Sequence, residues 1–262
     1  MRGNEYCGSA VELFTDAEVE AFVKEHPFAV LKAPWSGSGK GLQWCRGEYS
    51  ESIRKWSNRI SKKQRSIIGE QIYNKVVDFA MEFESDGKGV VSFAGYSLFE
   101  ADDRGAYRGN ILTSDFCIEE TLAKFVSREM LSSLQKKLAG LLSLFIGHCY
   151  KGYLGVDMMV CSFPDQPVYR IHPCVEVNLR MNMGMLSRLL YDKYICPQSS
   201  GCFSVDYFST SGKLHEDHQE KLAAYPLIMG DGRIKSGYLS LTPVGTQTNY
   251  RASVLVFDSE EA

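Results

Sequence analysis

Two groups of residues have the types and spacing to do chemistry. The first is the run Phe28-Ala29-Val30-Leu31-Lys32-Ala33-Pro34-Trp35-Ser36-Gly37-Ser38-Gly39-Lys40-Gly41. A strand-like apolar run delivers a lysine, and a glycine-rich loop follows it. Glycines let backbone N–H groups turn inward and approach phosphate oxygens closely. The run is not a P-loop, because Pro34 and Gly41 stand at the two ends of the G-x-x-x-x-G-K-[ST] frame. The protein-kinase pattern puts its lysine after the loop, and a dinucleotide fingerprint opens a helix; here Gly37, Gly39 and Gly41 lead to a strand. Taken alone, the run reads equally well as a mobile hairpin loop. The second group lies far downstream. Asp157 sits in Gly155-Val156-Asp157-Met158-Met159, and Glu176 and Asn178 sit in Val175-Glu176-Val177-Asn178-Leu179-Arg180. Residues two apart on a strand share a face, so Glu176 and Asn178 aim together, and Val175 and Val177 turn to the opposite face. Two carboxylates and an amide oxygen form a hard, all-oxygen donor set of the kind that suits Mg²⁺ (or Mn²⁺). The alternative is that Asp157 and Glu176 are surface positions of an exposed sheet.

Other candidates carry less. His172 shares the face parity of Glu176 and Asn178 and reads as a satisfied structural histidine. His215-x-x-His218 has metal spacing on a helix but no convincing third ligand, so it reads as a solvated face. Lys62-Lys63-Gln64-Arg65 is a helix-end charge cluster, favoured there by the macrodipole. None of the eight cysteines has C-x-x-C spacing, and several lie in apolar runs, so they are expected as free thiols in a reducing compartment.

The elements that must position these groups follow from periodicity and turn chemistry. Thr15 with Glu18 forms a capping-box pattern opening a helix that Pro27 ends. Strands are expected at 28–32, 42–46 and 66–72, with an amphipathic helix over 50–60 between the last two. Three strand-like runs follow, at 76–84, 90–99 and 106–112, the first two joined by Ser85-Asp86-Gly87-Lys88-Gly89, a hairpin signal. One long helix is expected from about 118 to 149. Leu131 to Tyr150, its most apolar part, is too polar to span a bilayer and reads as buried. A second hairpin, 152–161 with 168–177, precedes a helix over 183–194. Short strands at 202–208, 236–241 and 253–257 occupy the tail. The order does not alternate strictly as in a doubly wound sheet, so the class is α+β with antiparallel sheets. The chain has 262 residues, 44% of them hydrophobic and 23% charged, which excludes wholesale disorder or a rod. At roughly 150 residues per domain the length suits one large domain or two small ones. Its 29 Lys+Arg against 32 Asp+Glu argue against a nucleic-acid binder, and no targeting or membrane segment is read.

Taken in order, the lysine with its glycine loop, the later Asp and the Glu-x-Asn-x-Arg run resemble the ATP-grasp superfamily over residues 14 to 188. Ile67-Ile68-Gly69-Glu70-Gln71-Ile72-Tyr73 is similar to that family's adenine-cupping hinge, and Asp78-Phe79 to its acidic-aromatic pair. Gln71 stands where relatives commonly carry a basic residue, and the Tyr73–Asp78 segment is one residue longer. The resemblance implies an ATP·Mg²⁺ site between two α+β lobes. Lys32 would pair with the α- or β-phosphate, and the backbone of Ser36, Gly37, Ser38, Gly39, Lys40 and Gly41 would cover the β/γ-phosphates. Glu70, Gln71, Ile72 and Tyr73 would line the adenine, and Asp78 would take a ribose hydroxyl. Asp157, Glu176 and Asn178 would hold one or two metal ions. Arg180 would stabilise the transferred phosphoryl, and Arg108 is the candidate for a further basic group from the central sheet.

The chemistry implied is that of a carboxylate–amine (or thiol) ligase. A substrate carboxylate takes the γ-phosphoryl as an acyl phosphate, and an amine or thiol then displaces phosphate. A small-molecule kinase and a non-catalytic ATP-binding module on the same fold are the alternatives. The resemblance implies a small lobe at 1–70 and a large lobe at 71–262 with an extension from about 199, without the front α/β domain that relatives carry. Either the chain is a truncated or unusually short member, or residues 199–262 and a partner chain or second copy would supply the substrate wall. A cytoplasmic location, with no membrane or nucleic-acid partner, is expected.

Overall fold

The computed structural model describes residues 4–37, 41–101 and 107–258. The chain divides into two compact units. The first comprises residues 1–76, 102–107 and 161–172, the second 77–101, 108–160 and 173–262.

The first unit carries a four-stranded antiparallel sheet in the order β1 (Ala10–Leu13), β4 (Ile67–Gln71), β2 (Phe28–Lys32), β3 (Leu42–Arg46). Two helices pack on it, α1 (Asp16–Glu25) and α2 (Glu51–Gln64). The capping box at α1 is formed: Thr15 accepts from the Glu18 N–H, and Glu18 accepts from the Thr15 N–H at 2.9 Å. Strand alternation then sorts the sheet's faces. Leu31 and Ile67 are fully buried with Val19, Val23 and Ile53 of the helices. α2 runs to Gln64, four residues past the expected end, and places Lys62 and Lys63 in its last turn.

A nine-stranded sheet, largely in the second unit, has the order β11 (Ile228–Gly230), β12 (Arg233–Ser240), β13 (Tyr250–Phe257), β10 (Ser200–Tyr207), β7 (Tyr107–Leu112), β6 (Val91–Ala101), β5 (Asn74–Asp86), β8 (Lys151–Ser162), β9 (Tyr169–Asn178). The pairs β11–β12, β12–β13, β13–β10, β10–β7 and β5–β6 are antiparallel. The class is therefore α+β, as expected. Helix α5 (Met183–Tyr194) packs on β6. Arg188 anchors it there, donating to Asp192, Asp115 and the Thr113 carbonyl. Among the described residues, no helix is long and apolar enough to cross a membrane. All eight cysteines are free thiols.

Three expectations fail for identifiable reasons. The long helix is two, α3 (Asp115–Leu122) and α4 (Arg128–Ile146). Phe125 and Val126 both donate to the Leu122 carbonyl, and Ser127 then caps α4 by accepting from Met130. Leu122 and Val126 stay buried through this turn, so the apolar period runs across the break without showing it. Nor is α4 buried throughout: Leu138 is the last buried leucine, and Leu144 (75%) and Phe145 (72%) are exposed. His215 and His218 lie on a helix as expected, α6 (Lys213–Ala224), but are half-buried rather than solvated. The His218 Nδ1 lies 2.8 Å from the Tyr238 hydroxyl.

Candidate functional site

In the first unit, Lys32 ends β2 and Glu70 lies on β4. Val30 faces Glu70 and Lys32 faces Ile68, so Lys32 and Glu70 are diagonal neighbours on the face away from Leu31 and Ile67. The Lys32 Nζ meets the Glu70 Oε2 at 2.7 Å, with both side chains largely buried. The lysine read as a phosphate ligand and the glutamate read as an adenine ligand are thus brought directly together. The Ala33 N–H donates to the Gly41 carbonyl at 2.8 Å and closes the base of the glycine loop. Trp35 exchanges two hydrogen bonds with the Gln64 side chain, which ties the loop's start to the end of α2. The Ser36 hydroxyl turns back onto the Ala33 carbonyl. Gly37 lies in open space, while Ser38, Gly39 and Lys40 lie outside the described residues.

Beyond Glu70 the hinge continues with Gln71 exposed and the Ile72 N–H donating to the Phe28 carbonyl. The Tyr73 ring packs edge-on against His172, with centroids 5.8 Å apart. His172 is buried, but contrary to the expectation of a satisfied histidine neither ring nitrogen has a hydrogen-bond partner among the described residues, because its neighbours there are the Tyr73 ring and the sheet. Burial, reinforced by the Lys32 charge, pushes its pKa down to about 4, so it is neutral near pH 7.

In the second unit, Asp157 lies on β8 and Glu176 and Asn178 on the adjoining edge strand β9. The Asn178 Nδ2 donates to the Asp157 Oδ2 at 3.0 Å, and the Arg180 guanidinium donates to the Asn178 Oδ1 at 2.9 Å. Asn178 is buried and Asp157 half-buried, whereas Glu176 and Arg180 are exposed. Burial first, then the Glu176 charge, pushes the Asp157 carboxyl up to about 7. The Asn178 hydrogen bond and the Arg180 charge oppose this, and the Asp78 charge adds to it. Asp78, read as a ribose ligand, adds the smallest of these contributions to Asp157. Arg108 stands exposed at the start of β7, with β6 and β5 between its strand and β8.

The donor set fits a divalent cation. Its oxygens are hard, and the Glu176 repulsion that adds to the effect of burial on Asp157 is what a bound dication would offset. Among the described residues no three His, Cys, Asp or Glu side chains gather closely enough to hold a metal, so the Asn178 oxygen or a ligand's own oxygens would complete the shell.

Sequence reasoning missed two residues here. Glu82 on β5 is 1% exposed, and its Oε2 accepts from the Asn182 Nδ2 at 2.8 Å. Burial pushes its carboxyl up to about 8, opposed by the Asn182 hydrogen bond and aided by the Asp157 charge. Asn182 caps α5, its Oδ1 accepting from the Met185 N–H at 2.8 Å. The cap was legible from the Asn immediately before the helix expected at 183. An acid inside the run Phe79-Ala80-Met81-Glu82-Phe83 was the signal for Glu82.

No family model matches the sequence, and no curated protein matches it. Several solved structures share its fold. The biotin carboxylase of Campylobacter jejuni, as its beta-gamma-ATP complex, is 11% identical with a TM-score of 0.57, over 96% of this chain and 58% of its own. The biotin carboxylase domain of Hydrogenobacter thermophilus 2-oxoglutarate carboxylase, with MgADP, ADP and bicarbonate, is 12% identical with a TM-score of 0.59, over 96% and 57%. Carboxyaminoimidazole ribonucleotide synthase of Aspergillus clavatus, with ATP, is 12% identical with a TM-score of 0.56, over 95% and 64%. The chain therefore has the ATP-grasp fold, and it spans less than two thirds of the length of each of these chains.

Proposed function

We propose that the chain is an ATP-dependent ligase that activates a small-molecule carboxylate as an acyl phosphate for attack by an amine or thiol. The observation that carries this reading is the grouping of Asp157, Glu176 and Asn178 on adjoining strands of an ATP-grasp fold, with Arg180 just past the end of β9. Structures of like fold that hold ATP, ADP or MgADP support the nucleotide. Lys32 and the backbone of residues 36–41 bind phosphate oxygens. Glu70 to Tyr73 line the adenine, and Asp78 binds the ribose. Asp157, Glu176 and Asn178 hold Mg²⁺, which when bound neutralises phosphate charge. Arg180 then stabilises charge on the phosphoryl group as it passes to the carboxylate. Arg108 is the candidate for a further basic group from the central sheet, with a surface arginine as the alternative. No protein nucleophile is required, because the carboxylate attacks phosphorus itself.

The test is release of ADP and phosphate from Mg·ATP in the presence of pooled acids, amines and thiols. Release only when an acid and an amine or thiol are both present supports the ligase. Release with an alcohol alone makes the protein a kinase. ATP binding without turnover in any pool makes it a binding module.

A further inference from the structure

We propose that Glu82 is a positioning residue for this site: through Asn182 it fixes the N-terminus of α5, and with it the segment 179–182 that carries Arg180, relative to Asp157 and Asn178. The inference rests on reading Asp157, Glu176, Asn178 and Arg180 as the phosphoryl-transfer centre.

The geometry behind it is a pair of anchors around one short segment. At its start, Asn178 is tied to Asp157 on β8. At its end, Asn182 is tied to Glu82 on β5. Arg180 lies midway, and its own N–H donates to the Asn178 carbonyl at 2.9 Å. Asn182 uses both ends of its amide, with Oδ1 on the helix and Nδ2 on Glu82. The Glu82 tie therefore sets where the first turn of α5 begins. The surroundings are shaped to the Glu82 carboxyl. A side chain at Gly155 of β8 would collide with Asn182 and Glu82, and one at Gly184 of α5 would collide with Glu82 and Ser97. The carboxyl is sealed from solvent, and its hydrogen bond to this segment goes to Asn182. The body of α5 has a separate anchor in Arg188, which binds Asp115 and the Thr113 carbonyl. Cutting the Glu82 tie should therefore loosen the 179–185 region without undocking the helix.

Three variants test this. Glu82→Gln keeps an acceptor of the same shape. Glu82→Leu removes it. Asn182→Ser keeps a cap for α5, since Ser and Asn cap about equally well, but loses the donor that reaches Glu82. Hydrogen exchange at the amides of residues 180–185, ATP turnover and circular dichroism are compared with wild type. Glu82→Leu and Asn182→Ser should keep the native spectrum while these amides exchange about tenfold faster, and kcat should fall about tenfold or more with KM for ATP within about twofold, because misplacement costs rate rather than uniform binding. Glu82→Gln should restore both readouts to near wild type. Unchanged kcat in Glu82→Leu or Asn182→Ser, equal damage in Glu82→Gln, or a joint rise in KM overturns the proposal. If wild-type protein turns over no ATP in any pool, the functional reading fails. The exchange comparison still decides the clamp: equal exchange in all variants overturns it.

Discussion

Glu82 also sets a measurable dependence of stability on pH. Its carboxyl has an ordinary value of 4.5 and is pushed up to about 8 by burial in the folded chain. Between those values the folded protein holds a proton that the unfolded chain has released, so stability must fall as pH rises through this window. The slope is about 1.4 kcal/mol per pH unit. Two of these units lie between pH 6 and 8, which gives a loss of about 2.7 kcal/mol by pH 9. Glu82→Gln has no proton to lose and keeps the shape and neutrality of the protonated acid. Urea denaturation of both proteins at pH 6, 7, 8 and 9 isolates the effect. Asp157 titrates in both proteins, so it cancels in the difference apart from its coupling to residue 82. The stability of Glu82→Gln relative to wild type should rise by about 2–3 kcal/mol from pH 6 to 9. A difference constant to within about 0.5 kcal/mol would mean that Glu82 titrates alike folded and unfolded, and the account of a sealed neutral acid would be refuted.

Three further outcomes follow from the same geometry. Glu176→Gln should lower Mg²⁺-dependent ATP turnover about 100-fold or more, measured as ADP release; unchanged turnover would remove Glu176 from the metal set. Lys32→Met takes the cation from the largely buried Glu70 and should cost about 3 kcal/mol in urea denaturation, at least half of it recovered by adding Glu70→Gln; strictly additive losses would show that the pair is not coupled. His172 has its pKa lowered from 6.5 to about 4, so the unfolded chain binds the extra proton and stability is lost as pH falls through that window. His172→Phe should flatten the acid limb of the stability curve by about 3 kcal/mol, and an unchanged limb would contradict the burial of a neutral ring.

Most elements were legible because their signals are local. Thr15 with Glu18 opens α1, the 85–89 turn joins β5 to β6, and strand alternation puts Lys32 and Glu70 on the face opposite Leu31 and Ile67. The failures have two causes. The break at 123–127 preserves the burial of Leu122 and Val126, so periodicity is blind to it. Helix α6 buries only Leu214 and presents no apolar stripe to read. It meets the sheet through charge, with Asp217 on the fully buried Arg251, which Asp206 also binds. At the site, residue types and spacing picked out Asp157, Glu176 and Asn178. Spacing could not show that Arg180 would bind Asn178, or that Glu82 would reach Asn182, a hundred residues later in the chain. The first is a side-chain contact just past the end of β9, and the second depends on where the start of α5 settles against β5.

The candidate ligands are also each other's partners. Within the first unit Lys32 holds Glu70, and within the second Asn178 joins Asp157 to Arg180. Each set is ordered by its own hydrogen bonds, so the groups keep their rotamers before any ligand arrives, and less side-chain entropy remains to be lost on binding. The cost is competition, because a phosphate on Lys32 must outweigh Glu70, and a cation on the Asn178 oxygen must outweigh Arg180. Removing Arg180 should therefore act in two opposite ways, freeing Asn178 for the metal while withdrawing the charge that stabilises phosphoryl transfer. Mg²⁺ affinity and turnover should then move apart in Arg180→Met, with Mg²⁺ binding tighter and ADP release slower. A parallel loss of both would mean that Arg180 only braces Asn178.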